Sequence, residues 1–526
     1  MTIIKNLKIY FFRRIIFIIW LLLLSVNYTH AKWIEVSTDH FIIYSQQKES
    51  KVVDIAQRLE KYHSSMNWLF KRQDVLPSPL NRLTIYVLNT QNKVRHLHNG
   101  DNKNVGGFYI GRSGGSIAFV SSIRKKNKGQ SISEQILFHE YAHHYLMSST
   151  RKAYPLWLNE GAAEFFSNVK FEENGSLGLG VPAYNRKYEL SGGRVKAVPI
   201  TSLLDTSTYL ANKSDRYDAF YGRSWLLFHM LVFSKDRAGQ IDKYLQAIDD
   251  GKSEINAASL SFGDLSLLNE ELDAYQKLKV MSYVPIPEKY LHVGPFNVKE
   301  LSKGEQKAID LRMRLKRGVD KEQLIKILPK ARRLLLQYPD DIGVLSVALE
   351  AEFDAVMLGL NDANAHKAIA LADRIIAFDN KNIFGIRYKA LSIEQILLHS
   401  KTSTWRWDQV HLLLQKAINL DDKNPLPLIE YFNTYKNRKI SPTEDALNGL
   451  EHALLLAPFD NHLRADVGNY YFNIRSYQKA IDTLKSLLAT AHDPKLRVWA
   501  KDIIEKSQAA LDAASGPDFL NYDVLL

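Results

Sequence analysis

The sequence of 526 residues contains no cysteine. This absence excludes a disulfide framework, catalysis by a thiol and a lipid-carrying cysteine at the N-terminus. The formal net charge of +12 is a modest excess that is spread along the chain, and no segment resembles a nucleic-acid-binding module. We therefore expect no nucleic-acid partner. The length exceeds that of one ordinary domain and predicts two or three.

Residues 1–31 have the pattern of a targeting segment. A basic first part without acidic residues is followed by an apolar run over 15–26 and by small residues that end at Ala31. The apolar run is shorter than the roughly 20 residues of a membrane span. We expect cleavage before Lys32, export to the periplasm and no stable transmembrane domain afterwards. An uncleaved N-terminal segment that tethers the protein to the membrane is the alternative.

The run His139-Glu140-x-x-His143 is the main chemical signal in the chain. Ser131, with Glu134 three positions later, is a capping box that predicts a helix through this run. Two histidines four residues apart lie on one helical face, so both imidazoles can reach a single metal ion. Glu140 then stands beside them as a base for water on the metal.

Glu160 is the natural third ligand, because a catalytic zinc ion usually takes three protein ligands. Sixteen residues separate it from His143, enough for a turn and for a second helix that begins near Pro155. Glu164 lies one turn beyond Glu160 and is predicted to accept the second N–H of a ligand histidine, although the two glutamates could exchange these roles. We predict a supporting role for Asn159 as well. The expected cofactor is Zn²⁺.

The motif together with the run 157–161, Trp-Leu-Asn-Glu-Gly, resembles the gluzincin metallopeptidases of clan MA, especially the bacterial peptidase MA-like domain. This resemblance implies a thermolysin-like α+β fold and hydrolysis of peptide bonds. The run 221–231 resembles the helix that carries the catalytic tyrosine of the M1 aminopeptidases. By that resemblance Tyr221 would donate a hydrogen bond to the oxyanion of the reaction, with Tyr217 as the neighbouring alternative.

The Gly-x-Met-Glu-Asn run with which M1 aminopeptidases bind a free amine is absent upstream of His139. Residues 105–111 and 114–120 occupy that region and are typical of two short strands joined by a glycine-rich turn. The second strand alternates sufficiently to be an edge strand, against which an extended peptide could pair. Specificity for free N-termini is therefore not implied.

From about residue 300 the sequence changes to helix pairs separated by recurring turn signals. Successive signals at Asp341, Asn382, Asn424 and Asn461 are 41, 42 and 37 residues apart. A period of this size predicts a helical solenoid, which resembles divergent tetratricopeptide (TPR) repeats. Its concave face would suit a protein partner or a long substrate. We expect residues 32–292 to form the zincin domain and residues 300–515 to form the repeat domain.

These observations predict an α+β zincin domain followed by an all-α helical-repeat solenoid. The predicted function is an exported zinc metallopeptidase that acts on a peptide or protein substrate, with Glu140 as its base. The alternative is a TPR scaffold protein whose zincin domain is inactive or hydrolyses an amide bond outside peptides. Four other histidines, none with a ligand partner at helical spacing, are predicted to be surface or core residues: His40, His63, His96 and His98.

Overall fold

The computed structural model describes residues 32–98, 105–122, 130–149, 154–191, 195–214, 216–399, 405–489 and 493–514. The predicted signal peptide, residues 1–31, lies outside these ranges. Within them, every helix is too short or too polar to cross a membrane.

Six strands form the main sheet of the first half, in the order β4-β5-β3-β2-β1-β9. β3 pairs in parallel with β2 and with β5, and the other neighbours are antiparallel. The strands are β1 (Ile34–Ser37), β2 (Phe41–Ser45), β3 (Leu83–Leu88), β4 (Gly107–Ile110), β5 (Ile117–Ser121) and β9 (Asn297–Glu300). The edge-strand prediction for 114–120 is wrong, because β5 is buried inside the sheet and β4 forms its edge.

Helices cover the main sheet and extend the first half beyond it. They are α1 (Glu49–Leu69), α2 (Gln91–His98), α3 (Ile132–Ser149), α4 (Leu156–Ser167), α5 (Tyr184–Ser191), α6 (Ile200–Leu203), α7 (Thr206–Asn212), α8 (Phe220–Phe233), α9 (Gln240–Asp249), α10 (Glu254–Phe262) and α11 (Leu265–Gln276). A smaller antiparallel sheet joins β6 (Val169–Phe171), β7 (Leu177–Leu179) and β8 (Val284–Ile286).

Residues 284–300, which lead into the helical repeats, contain two strands, β8 and β9. β8 pairs with β7, and β9 pairs with β1 at the opposite edge of the main sheet from β4. The chain is therefore tied to both sheets before it enters the helical repeats.

The second half consists of paired helices. They are α12 (Lys303–Arg317), α13 (Lys321–Gln337), α14 (Ile342–Met357), α15 (Ala365–Phe378), α16 (Ile383–Leu398), α17 (Trp405–Leu420), α18 (Pro425–Arg438), α19 (Glu444–Leu456), α20 (Asn461–Asn473), α21 (Tyr477–Leu484) and α22 (Pro494–Ala514). Side chains of Asp341, Asn382, Asn424 and Asp460 accept backbone N–H groups at the starts of α14, α16, α18 and α20. The predicted helical repeat is confirmed, and its turn signals are helix caps.

Successive side chains of the central strands point to opposite faces of the main sheet, and both faces are apolar. On one face Tyr44, Tyr86 and Phe119 stack in a row, with ring centroids 5.1 and 5.3 Å apart. These rings share a core with α2 and with α12, the first helix of the second half. The opposite face packs under α1 and α3. The repeat half is thus anchored on the sheet by buried apolar contacts.

The repeat half touches the first half again near its far end. Asp460 Oδ2 accepts hydrogen bonds from the backbone N–H and the hydroxyl of Ser113, both at 2.7 Å. Asn81 Nδ2 donates to the Leu456 carbonyl oxygen at 3.2 Å. The repeat half therefore contacts the first half through α12 and again through Leu456 and Asp460. Between these contacts it forms one wall of a cleft along the first half.

Candidate metal centre

Helix α3 brings two histidines together. The Ser131 hydroxyl accepts the N–H of Glu134 at 3.2 Å at the start of this helix, as the capping pattern predicted. One turn apart on α3, the rings of His139 and His143 have centroids separated by 4.7 Å. Their Nε2 atoms are 3.1 Å apart, so both nitrogens point to the same small region.

Helix α4 supplies a carboxylate to this region. Glu160 is only 1% exposed, and its Oε2 lies 3.4 Å from the Nε2 atom of each histidine. The close approach of α4 to α8 depends on Gly161, because a Cβ atom there would lie 2.4 Å from the Ser224 carbonyl oxygen. The glycine that follows Glu160 therefore allows α4 to sit between α3 and α8.

The three donor atoms fit a single divalent cation. Their separations are 3.1, 3.4 and 3.4 Å. Tetrahedral zinc, with bonds of about 2.0–2.2 Å, separates its ligand atoms by roughly 3.3–3.6 Å. Two imidazoles and one carboxylate are also a donor set that suits zinc, although other divalent ions accept it. We call His139, His143 and Glu160 the first centre.

Charge at the first centre is set by its own members. Burial disfavours the charged form of Glu160, but attraction to His143 and hydrogen bonds to both histidines outweigh it and lower the pKa of Glu160 well below its usual range. Burial also lowers the pKa of His139, but the Glu160 hydrogen bond and nearby carboxylates raise it to about 9. The pocket thus stabilises positive charge beside the Glu160 carboxylate.

The second nitrogen of each histidine faces an acceptor on α4. Asn159 Oδ1 lies 3.2 Å from Nδ1 of His143, and Glu164 Oε1 lies 3.5 Å from Nδ1 of His139. Arg186 on α5 holds Glu164 with two hydrogen bonds, of 3.1 and 2.6 Å. Glu160 therefore faces the Nε2 pair and Glu164 lies behind the His139 ring. Arg186 was missed in the sequence, because no motif links it to Glu164.

Replacing Glu164 with alanine is expected to weaken zinc binding about 10- to 100-fold, the usual effect of removing the acceptor that orients a ligand histidine. Equilibrium dialysis against zinc measures this change. Glu189→Ala is the matched control, because Glu189 accepts hydrogen bonds from the same arginine, at 3.1 and 3.2 Å, without facing a ligand histidine. Equal losses in the two variants would contradict an orienting role for Glu164.

Glu140 lines a cleft of about 670 Å³ between the two halves of the chain. On the side of the first half this cleft also includes His143, Asn159 and strand β4. The wall from the repeat half is formed by Arg317, Gly318, Pro458, Phe459, Asn461, Arg464 and Ser486. A molecule in the cleft would therefore contact the first centre and the repeats at the same time.

Tyr221 lies on the Glu160 side of the centre. It lines a smaller cavity with Glu160 and Tyr209. The negative charge of Glu160 is the largest cause that raises the pKa of Tyr221, and burial raises it further. The predicted alternative, Tyr217, is 52% exposed and donates a hydrogen bond to Glu189. The tyrosines that line the larger cleft beside Glu140 are Tyr109 and Tyr154. Sequence reasoning singled out neither of these.

Comparison with known proteins gives no family. No family model matches the chain, and no curated protein matches it. Among solved structures, a thermophilic TPR protein of Thermus thermophilus, TTC0263, has a TM-score of 0.29 and 16% identity over 38% of this chain and 94% of its own. The human IFIT1 dimer with m7Gppp-AAAA has a TM-score of 0.25 and 12% identity over 60% of this chain and 74% of its own.

The assignment to the gluzincin, peptidase MA-like family is therefore wrong. No family model matches the chain, and a distinct thermolysin-like domain is not shown. The resemblance rested on two short runs of residues, and such runs fix the local spacing of a few side chains without fixing the fold around them. What stands is a mainly helical chain whose second half is a helical repeat.

Proposed function

We propose that this protein is a zinc-dependent hydrolase of peptide bonds. The observation that carries the proposal is the convergence of two imidazole nitrogens and one carboxylate oxygen, 3.1–3.4 Å apart. Of these residues, His143 also lines the cleft that Glu140 borders. We also propose that the protein is exported to the periplasm, because residues 1–31 have the pattern of a targeting segment.

His139, His143 and Glu160 would hold the zinc ion. When bound, zinc polarises a carbonyl group and lowers the pKa of water toward about 7. Glu140 follows His139 directly on α3 and borders the cleft, so its carboxylate can accept a proton from the attacking water and return it to the leaving amine. Asn159 and Glu164 orient the two imidazoles, and Arg186 holds Glu164 in place.

Tyr221 is proposed to stabilise the oxyanion from the Glu160 side. Its hydroxyl would act as a donor once substrate enters, because this residue borders the small cavity that Glu160 also lines.

The shape of the cleft favours an extended substrate. β4 has β5 on one side only, and its other edge is the outer edge of the main sheet. Residues 107–111 line the cleft, so their backbone groups are placed to pair with an extended peptide. The repeats form the facing wall and would contact the rest of the substrate.

A second candidate function is the binding of a protein partner by the helical repeats, with the first centre inactive or directed at an amide bond outside peptides. The paired helices between residues 303 and 514 favour it, because stacked helix pairs offer extended concave surfaces to partners. In that case turnover of peptides would be absent even when zinc is bound.

Incubation of the purified protein with a mixed peptide library tests the proposal. We expect cleavage that a chelator abolishes and that added zinc restores. Mass spectrometry of the products would show which bonds are cut. Zinc-loaded protein that cleaves no peptide would contradict the peptidase proposal and favour the second candidate. Cleavage that persists in chelator would contradict the role of the metal.

A further inference from the structure

A second group of metal-ligating side chains lies behind α3. It consists of His40 directly before β2, His63 on α1 and Asp74 in the loop that follows α1. Tyr141 connects this group to α3, because its hydroxyl lies 2.6 Å from His63 Nδ1. Tyr141 lies two positions from both His139 and His143, so it occupies the opposite face of the helix from the first centre.

One nitrogen of each ring is held in place from inside the protein. His40 Nδ1 lies 2.9 Å from Glu60 Oε2, while Glu60 Oε1 accepts the backbone N–H of His40 at 3.0 Å. His63 Nδ1 faces the Tyr141 hydroxyl. Metal-bound histidines have the same arrangement, in which a carboxylate or another oxygen fixes the second nitrogen and leaves the first one for the ion.

The other nitrogens converge on a single oxygen. Asp74 Oδ1 lies 3.1 Å from His40 Nε2 and 3.0 Å from His63 Nε2. The two rings are stacked with centroids 3.8 Å apart. The imidazoles are buried, whereas the Asp74 side chain is 36% exposed. The group is therefore assembled inside the protein and open to solvent on the carboxylate side.

Asn67 also lies at this cluster. Its amide nitrogen donates to Asp74 Oδ1 at 3.2 Å and lies 2.9 Å from His63 Nε2. Its Oδ1 accepts the Tyr145 hydroxyl at 2.8 Å, which holds the amide nitrogen toward the cluster. Asn67 therefore helps to hold Asp74 at the point where the two imidazole nitrogens converge.

We propose that His40, His63 and Asp74 form a second site for a divalent cation of the zinc class. Two imidazole nitrogens and one carboxylate oxygen suit such an ion, and water would complete its coordination from the exposed side. The ion would join the loop after α1 to the first strands of the sheet, directly behind the helix that carries the first centre. Its role would be to stabilise the fold in this region.

Zinc alone is the probe for this site, and the His139→Ala/His143→Ala double variant isolates it from the first centre. After equilibrium dialysis, the wild type is expected to hold two zinc ions per chain and the double variant one. Adding Asp74→Ala to the double variant should release the remaining ion. Adding Asp54→Ala should not, because Asp54 lies on α1 and faces Arg58 at 3.9 Å.

Asp74→Asn in the same background distinguishes the loss of a zinc ligand from misfolding of the protein. Asparagine keeps the size of the side chain but removes the charge, so we expect at least about 10-fold weaker zinc binding with an unchanged far-ultraviolet circular dichroism spectrum. Cobalt provides a second readout, since its visible absorption in the double variant should disappear with Asp74→Ala.

A double variant that binds no zinc, or that keeps its zinc after Asp74→Ala, would overturn the proposal of a second site. His40, His63 and Asp74 would then form only a network of hydrogen bonds. The two proposals fail separately. If the wild type held one ion that Asp74→Ala released and His139→Ala/His143→Ala did not, the second site would stand and the first centre would be excluded.

Discussion

Replacing Glu140 with glutamine should reduce peptide hydrolysis by about 10²- to 10⁴-fold, the usual contribution of a positioned general base. Glutamine has the size of glutamate but cannot accept the proton of water as a carboxylate does. Zinc binding should stay the same, because Glu140 is not one of the three groups whose donor atoms converge. Initial rates on a peptide identified from the library, measured with the zinc content of the same sample, provide the test.

Glu134→Gln is the matched control for this variant. Glu134 lies on the same helix, and its carboxylate pairs with Arg58 at 2.6 Å, away from the cleft. We expect this control to keep its turnover, even where loss of the ion pair lowers its thermal stability. Hydrolysis by Glu140→Gln at the wild-type rate would contradict the assignment of Glu140 as the base.

Replacing His143 with alanine should remove both the zinc ion of the first centre and the hydrolysis that depends on it. The loss of affinity should exceed about 100-fold, because removing a group that only orients a ligand already weakens binding about 10- to 100-fold. Two donors would then remain where a catalytic zinc ion needs three. Metal content after dialysis, together with the rate on the same peptide, measures the effect.

The adjacent residue offers a matched control. His144→Ala also removes an imidazole from α3, but Nδ1 of His144 faces the Tyr109 hydroxyl at 2.7 Å and its ring lies against Phe459. This variant should keep the zinc ion of the first centre. If His143→Ala and His144→Ala held equal amounts of zinc, His143 would not be a ligand.

The two helices of the first centre were predictable because their signals are local. Ser131 caps α3, Pro155 precedes α4, and helical spacing alone places His139 and His143 on one face. The helical repeats were predictable for the same reason, since Asp and Asn caps recur along the sequence. Each of these features depends on residues that are close together in the chain.

The features that sequence reasoning missed depend on residues far apart in the chain. β9 pairs with β1 across more than 250 residues, and Arg186 reaches Glu164 from another helix. His40 and His63 were predicted to be ordinary surface or core histidines, and the structure adds Asp74 and Glu60 beside them. Periodicity within one helix or strand carries no information about such contacts.

The family assignment failed for a related reason. The motif and the run 157–161 describe the faces of two helices, and the order of the strands around them is not encoded in those residues. The edge-strand prediction had the same weakness, because alternation in 114–120 gave no information on which neighbour would cover β5.

Anomalous X-ray scattering at the zinc absorption edge, from crystals of the protein grown with zinc, shows whether the first centre binds the ion. We expect a peak about 2.0–2.2 Å from Nε2 of His139, Nε2 of His143 and a carboxylate oxygen of Glu160. A map with no peak between these three residues would contradict this expectation.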